Sequence, residues 1–115
     1  MGRLTTHVLD IANGCPGAAI QIELFRYGQD TAIATTVTNA DGRCEAPLLQ
    51  DNSMIPGDYE LVFHAGEYFR SRGHEDGEHR FLDQVVIRFG INDRQQHYHV
   101  PLLLSPFGYS TYRGS

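Results

Sequence analysis

The chain has 115 residues, of which 41% are hydrophobic, and its formal net charge is -5. This length suits one domain around one hydrophobic core, which we expect to span residues 1–115. The acidic balance argues against nucleic acid as a partner, since phosphate contacts require a basic face, and no segment approaches the ~20 apolar residues of a membrane helix, which argues against a membrane partner.

Short strands separated by glycine-containing turns are predicted for the first half of the chain. The first candidate strand is rich in β-branched and apolar residues and stops at Asn-Gly and Pro-Gly. The second alternates, so that Ile20, Ile22 and Leu24 share one face. Asp41-Gly42 is typical of a turn. The three strands are predicted over residues 4–11, 18–27 and 31–40.

The second half contains a break in this pattern. A strand starting at a Pro-Gly turn is followed by a polar stretch without alternation. Within it a short helix is predicted over residues 67–72, closed by Gly73. The remaining strands are predicted over residues 56–63, 82–91, 96–105 and 108–115. Seven or eight strands with at most one helix indicate an antiparallel β-sandwich with Greek-key connections.

Three of the six histidines lie on predicted strands in positions that suggest a shared role. His7 lies on the first strand, where it shares a face with Thr5 and Leu9. His97 and His99 are two residues apart and therefore project from the same face of a strand. The opposite face of that strand is predicted to be core and consists of Tyr98, Val100, Leu102 and Leu104.

The face that carries His97 and His99 continues with Pro101 and Leu103, which is unusual for a solvated surface. We therefore expect it to contact a partner subunit, a ligand, or both. A histidine can act as a general base near neutral pH, and three histidines on strands can also bind zinc, so both possibilities stay open. The other histidines, His64, His74 and His79, are expected to be surface or packing residues.

Two arginines and two cysteines are further candidates. Arg43 follows Asp-Gly directly, and Arg113 lies two residues before the end of the sequence. Either guanidinium can bind an oxyanion or a planar amide through two hydrogen bonds, although without further information each is expected to be a solvated surface charge. Cys15 and Cys44 are too few for a disulfide framework and are expected to be reduced packing residues in a cytoplasmic protein.

Four segments together resemble the transthyretin-related 5-hydroxyisourate hydrolase family. They are "THVLDIANGCPGAAIQIELF", "NADGRC", "GDYELVFHAGEYF" and "HYHVPLLLSPFGYSTYRGS". The resemblance covers nearly the whole chain, and the terminal Tyr-Arg-Gly-Ser is its most specific part. It implies a transthyretin-like eight-stranded antiparallel β-sandwich with Greek-key connections and one short helix. It also implies a homotetramer, a dimer of dimers, whose channel is lined by the first strand and the last two.

The family resemblance implies an enzyme of urate breakdown that needs no cofactor and no metal. The implied reaction is hydrolysis of 5-hydroxyisourate to 2-oxo-4-hydroxy-4-carboxy-5-ureidoimidazoline. The implied catalytic residues are His7, Arg43, His99 and Ser115. The implied substrate-binding residues are His7, Arg43, His97 and Tyr112.

The roles within this set are only partly determined. His7 and His99 are expected to be the base and its partner, in an order that the sequence leaves open. Alternation along the last residues predicts that Tyr112 faces the channel and Arg113 faces away. Two other functions remain: a transthyretin-like carrier of small hydrophobic molecules, and a structural β-sandwich that oligomerises through residues 97–105.

Overall fold

Nine strands form two sheets that pack face to face. The computed structural model describes residues 1–115. The chain also forms a 3₁₀ turn at Asp51–Ser53 and one α-helix, α1, at Ala65–Ser71. In chain order the strands are β1 (Arg3–Asp10), β2 (Cys15–Pro16), β3 (Gln21–Arg26), β4 (Ala34–Val37), β5 (Leu49–Gln50), β6 (Gly57–Phe63), β7 (Val85–Ile91), β8 (Tyr98–Ser105) and β9 (Gly108–Thr111).

The first sheet has the strand order β2-β1-β8-β9, with β5 pairing to β1 as well, and the second has the order β4-β3-β6-β7. All pairs are antiparallel except that of β1 with β8. The predicted β-sandwich with one short helix is therefore confirmed, with nine strands and one parallel pair. The parallel pair joins the first strand to the penultimate one, because the intervening chain builds the second sheet before it returns.

Register along this parallel pair decides which outward-facing side chains meet. Thr5 is paired with His99, and His7 is paired with Pro101. Since successive side chains of a strand alternate between faces, Thr5, His7 and His99 all project from the outer face of the sheet. The fold thus brings residues from the two ends of the sequence into one row.

Alternation also accounts for the core between the sheets. The inward-facing residues of β1 are Leu4, Thr6, Val8 and Asp10, all at most 2% exposed. The shared face of the second alternating segment and the predicted core face of β8 are both buried: Ile20, Ile22, Leu24, Tyr98, Val100, Leu102 and Leu104. One apolar cluster therefore connects both sheets.

The helix α1 begins two residues before its predicted start and closes the sandwich at one end. Its Tyr68 and Phe69 are buried, and the Tyr68 hydroxyl donates a 2.6 Å hydrogen bond to Asp10 Oδ2 at the end of β1. Gly73 follows at φ 82°, a left-handed conformation that ends a helix at little cost. No helix of the molecule combines the length and apolar character needed to cross a membrane.

The last strand is shorter than predicted, and Pro101 explains why. β9 ends at Thr111, but its register with β8 continues to an isolated bridge between His99 and Gly114. Proline lacks the N–H that would continue the ladder, and the Pro101 carbonyl instead accepts a 2.8 Å hydrogen bond from the Thr111 hydroxyl. The chain therefore leaves the sheet for two residues and returns over His99.

Candidate active site

A cavity of about 600 Å³ lies against the outer face of β1 and β8. The segment at residues 43–47 forms one wall, and the last residues of the chain form another. Its lining contains arginine, histidine, threonine and glutamate but no Leu, Ile, Val, Met or Phe. A site of this kind can bind a polar ring through directed hydrogen bonds.

Two histidines and a threonine form a continuous row of contacts on the floor of this cavity. His7 Nδ1 lies 2.7 Å from His99 Nε2, and His99 Nδ1 lies 2.7 Å from Thr5 Oγ1. The imidazole planes are 15° apart, so the rings meet nitrogen to nitrogen in nearly one plane. Of the four ring nitrogens, only His7 Nε2 has no hydrogen-bond partner in the protein.

The surroundings of both imidazoles lower their pKa and so favour the neutral form. Burial is the largest cause that lowers the pKa of His7, followed by the charges of His99 and Arg43. Burial also lowers the pKa of His99, with Arg43 as the second cause. A neutral imidazole has one free lone pair, which is the form that can accept a proton from water.

A tight turn places Arg43 beside this pair. The Asn39 side-chain oxygen accepts hydrogen bonds from the backbone N–H groups of Asp41 and Arg43, at 2.9 and 3.1 Å. Gly42 has φ 75°, and a Cβ on it would lie 2.4 Å from the Val8 carbonyl oxygen. Only glycine fits this close approach of the two backbones. It allows the backbone of Arg43 to pair with that of His7 in an isolated antiparallel β-bridge.

The Arg43 guanidinium is not committed to any protein partner. It forms neither an ion pair nor a side-chain hydrogen bond, and the two ion pairs of the molecule lie on the other sheet. Arg3 lines the same cavity without an ion pair, and Glu45 has the one acidic side chain in the lining. Two guanidinium groups without an ion pair favour ligands that are anionic or that develop negative charge.

The last residues of the chain form the wall nearest to His99. Gly114 N–H donates a 2.8 Å hydrogen bond to the His99 carbonyl, and Tyr112 and Ser115 line the cavity on either side of it. A Cβ on Gly114 would lie only 2.9 Å from Cδ2 of the His99 ring. The glycine is thus required for the chain to pack directly over the imidazole.

Arg113 lies outside the cavity lining, but it is not a free surface charge. Its guanidinium lies 4.1 Å from the centre of the Tyr98 ring, and Nη2 donates 3.0 Å hydrogen bonds to Gln96 Oε1 and to the His97 carbonyl. These contacts anchor the terminal segment to the start of β8. Sequence reasoning missed this role, because Tyr98 is remote from Arg113 in sequence.

The structure brings together five of the six residues implied by the family resemblance. His7, Arg43, His99, Tyr112 and Ser115 all line the cavity. The sixth, His97, precedes β8, is exposed and lies outside the lining. Thr5 was noted in the sequence only as a neighbour of His7 on the same face, and its position opposite His99 depends on a parallel pairing that local patterns do not reveal.

The remaining candidates do not form a metal centre. No group of three or more His, Cys, Asp or Glu side chains is arranged to hold a metal ion. Cys15 and Cys44 are both free. Cys44 lines the cavity, but burial raises the pKa of its thiol, which disfavours the reactive thiolate.

Comparison with known proteins identifies a matching family and a close relative. The model of the HIUase/Transthyretin family matches residues 4–114. A protein of Pseudomonas aeruginosa named 5-hydroxyisourate hydrolase is 63% identical over 117 aligned residues, which cover 100% of this chain and 93% of that protein.

Two solved structures are also similar over almost the entire chain. The crystal structure of (S)-allantoin synthase superposes with a TM-score of 0.93 at 46% identity, covering 99% of this chain but 44% of the longer one. The structure of Klebsiella pneumoniae 5-hydroxyisourate hydrolase gives a TM-score of 0.84 at 36% identity, and 100% of each chain is covered.

Proposed function

We propose that this chain, which belongs to the HIUase/Transthyretin family, hydrolyses 5-hydroxyisourate to 2-oxo-4-hydroxy-4-carboxy-5-ureidoimidazoline. The observation that carries the proposal is the contact of His7 with His99 beside the uncommitted Arg43 in one polar cavity. The high identity to proteins named 5-hydroxyisourate hydrolase supports the same reaction.

His7 acts as the general base, and His99 is its partner. His7 Nε2 is the only ring nitrogen of the pair without a protein partner, so it is the one available to water or substrate. The lowered pKa values of both rings favour the neutral form that a base requires. This geometry supports an order of roles that the sequence left open.

The reaction adds one water molecule to a ring amide. His7 Nε2 takes a proton from water as the water oxygen bonds to the amide carbonyl carbon. The carbonyl oxygen becomes an oxyanion, which the Arg43 guanidinium stabilises. When the ring C–N bond breaks, the departing nitrogen receives the proton from His7, so that the base is restored and the ring is open.

Tyr112 and Ser115 position the substrate. Both belong to the wall that Gly114 holds over the His99 ring. Tyr112 offers an aromatic edge and a hydroxyl to a planar bicyclic substrate, and the Ser115 hydroxyl can orient the attacking water. Such positioning contributes substantially to catalysis, because the substrate and the catalytic groups are already oriented before the reaction begins.

A hormone-type carrier is the less favoured function. A carrier of hydrophobic aromatic molecules needs an apolar channel, whereas this cavity has no Leu, Ile, Val, Met or Phe in its lining. A binding protein also has no use for a neutral imidazole pair beside a free guanidinium. Both observations favour hydrolysis over carriage.

The enzyme is further proposed to be a cytoplasmic homotetramer, arranged as a dimer of dimers. Tyr112 lines the cavity yet is 59% exposed in the single chain, so a second chain packed against this face would complete the wall. Cys15 and Cys44 are unpaired, which suits a reducing compartment. Multi-angle light scattering on purified protein measures the mass of the assembly directly, and a monomer with full turnover would contradict it.

The test of the function is the ultraviolet decay of freshly generated 5-hydroxyisourate, followed in a stopped-flow instrument. Wild-type protein is expected to accelerate the decay, and deletion of residues 112–115 is expected to abolish the acceleration. A Val86→Ala variant, changed at an exposed position on the other sheet, serves as the control. No acceleration by folded wild-type protein would refute the proposed function.

A further inference from the structure

The row Thr5–His99–His7 has only two possible arrangements of protons. A neutral imidazole carries one N–H donor and one lone pair, so the direction of the first hydrogen bond determines the second. Both contacts are 2.7 Å long and are therefore hydrogen bonds. One uses Nδ1 of His99 and the other uses Nε2, so the His99 ring connects them. The hydroxyl at the end of the row therefore influences which form of His7 faces the cavity.

In the first arrangement the Thr5 hydroxyl donates to His99 Nδ1. His99 then carries its proton on Nε2 and donates to His7 Nδ1, which leaves the His7 proton on Nε2. A nitrogen in that state has no lone pair and cannot accept a proton from water.

In the second arrangement Thr5 Oγ1 accepts a hydrogen bond from His99 Nδ1–H. His99 Nε2 then accepts from His7 Nδ1–H, and the lone pair of His7 Nε2 faces the cavity. When His7 takes a proton, its Nδ1–H continues to donate to His99, so the same hydrogen bond stabilises the imidazolium.

The surroundings of Thr5 permit the second arrangement. Thr5 Oγ1 has no protein partner other than His99, so its own proton is available to water or substrate in the cavity. The neighbouring Thr6 shows the contrasting case, because its buried hydroxyl donates a 2.6 Å hydrogen bond to the Val100 carbonyl. The Val100 carbonyl can only accept, so Thr6 must donate to it. His99 Nδ1 can either donate or accept, so Thr5 need not donate to it.

We propose that Thr5 is a positioning residue that accepts the Nδ1 proton of His99, and thereby keeps the His7 Nε2 lone pair available to the substrate water. This inference rests on the proposed hydrolysis with His7 as base. Thr5 acts through His99 and then His7, and its hydroxyl proton remains free to donate into the cavity.

The test compares Thr5→Val, which keeps the branched shape without a hydroxyl, with Thr5→Ser, which keeps the hydroxyl. An oriented general base contributes about 10²–10⁴ in rate. Part of this rate is lost when the histidine is in the tautomer that cannot accept the proton. We expect Thr5→Val to lower kcat roughly 10- to 100-fold with little change in KM. The kcat of Thr5→Ser should stay within about threefold of the wild-type value. This change is smaller than a tenfold one, which would correspond to about 1.36 kcal/mol in the activation free energy.

Two further readouts separate this role from a purely structural one. Thr5→Val is expected to change the pH profile of kcat, because His99 is no longer restricted to one tautomer, whereas Thr35→Val on the exposed face of β4 should leave it unchanged. Nitrogen-15 NMR of the imidazoles is expected to show His99 protonated at Nδ1 in the wild type and a mixture of tautomers in Thr5→Val.

The outcomes distinguish the two proposals. If wild-type protein hydrolyses the substrate and Thr5→Val has the wild-type rate and pH profile, the role of Thr5 is wrong and the function stands. If NMR finds wild-type His99 protonated at Nε2, the role of Thr5 is wrong even if Thr5→Val does not fold. If wild-type protein does not hydrolyse the substrate, the proposed function fails, and the NMR result still reports on the hydrogen-bond direction.

Discussion

The outer faces of the two sheets carry similar residues with different partners. On the second sheet, His64 Nε2 lies 2.7 Å from Glu23 Oε1, and Arg88 Nε lies 3.4 Å from Glu60 Oε2. On the first sheet, His7 is equally close to its partner, but that partner is another histidine. The partner decides the chemistry: His64 and Arg88 each contact a carboxylate on one face, whereas the other face holds a pair of histidines and an unpaired guanidinium.

The largest difference between the two faces is expected when the histidine of each face is removed in turn. His7→Ala should lower the rate of 5-hydroxyisourate hydrolysis by about 10²–10⁴, since it deletes the general base. His64→Ala removes a histidine with a contact of the same 2.7 Å length and should leave the rate near that of wild type. Stopped-flow ultraviolet decay measures both, and equal losses in the two variants would contradict the functional difference between the faces.

Local patterns in the sequence predicted most of this architecture. Alternation identified the inward face of β8, and the Asp-Gly pair at residues 41–42 identified the turn that carries Arg43. Both signals are local, because side-chain direction and turn conformation depend on a few neighbouring residues. The choice of His7 and His99 as a pair came from the family resemblance, and the structure places them in contact.

Local sequence patterns did not predict which residues distant in the sequence contact each other. Thr5 meets His99 only because β1 and β8 run parallel in one particular register, and Arg113 is anchored only because the chain returns over Tyr98. Neither pairing leaves a local pattern. The premature end of β9 had a visible cause in Pro101, but that cause becomes apparent only when the opposing residue is known.

The second prediction concerns the arginines of the two faces. Arg43→Gln should lower kcat by about 10²–10³, as expected when one donor to a developing oxyanion is lost. Arg88→Gln removes an arginine whose side chain is 58% exposed and paired with Glu60, and it should leave kcat unchanged. Steady-state kinetics of both variants test this difference, which would be disproved by an Arg43→Gln enzyme with wild-type kcat.

The third prediction concerns the close packing of the terminal segment on the first face. A Cβ at position 114 would lie 2.9 Å from His99 Cδ2 and 3.1 Å from Pro101 Cγ, so Gly114→Ala must displace either the ring or the segment. Displacement of a reacting group is expected to lower kcat roughly tenfold or more. Gly108→Ala is the matched control, because its Cβ would meet only Ser105 Oγ at 3.8 Å. Comparable kcat values for the two variants would show that the position of the wall does not matter.

The smallest expected effect is a dependence of stability on pH that comes from the first face alone. Burial, with the nearby Arg43, lowers the pKa of His7 and of His99 below the value of about 6.5 for an unfolded histidine. Between those values the unfolded chain binds more protons than the native one, so the free energy of unfolding rises with pH. Acidification through pH ~6.5 should therefore destabilise the fold until both native histidines are protonated.

Urea unfolding between about pH 5.5 and 7.5 measures this dependence in a range where carboxylates, with pKa near 4 when unfolded, contribute little. The double variant His7→Gln/His99→Gln should show a shallower rise of the urea midpoint with pH than wild type. This decrease in slope is informative even if the variant is less stable at every pH, because linkage concerns the slope and not the absolute stability. An unchanged slope would mean that the imidazoles of the first face titrate in the native protein as they do in the unfolded chain, and a pair exposed in that way would be poorly suited to serve as a base and its partner.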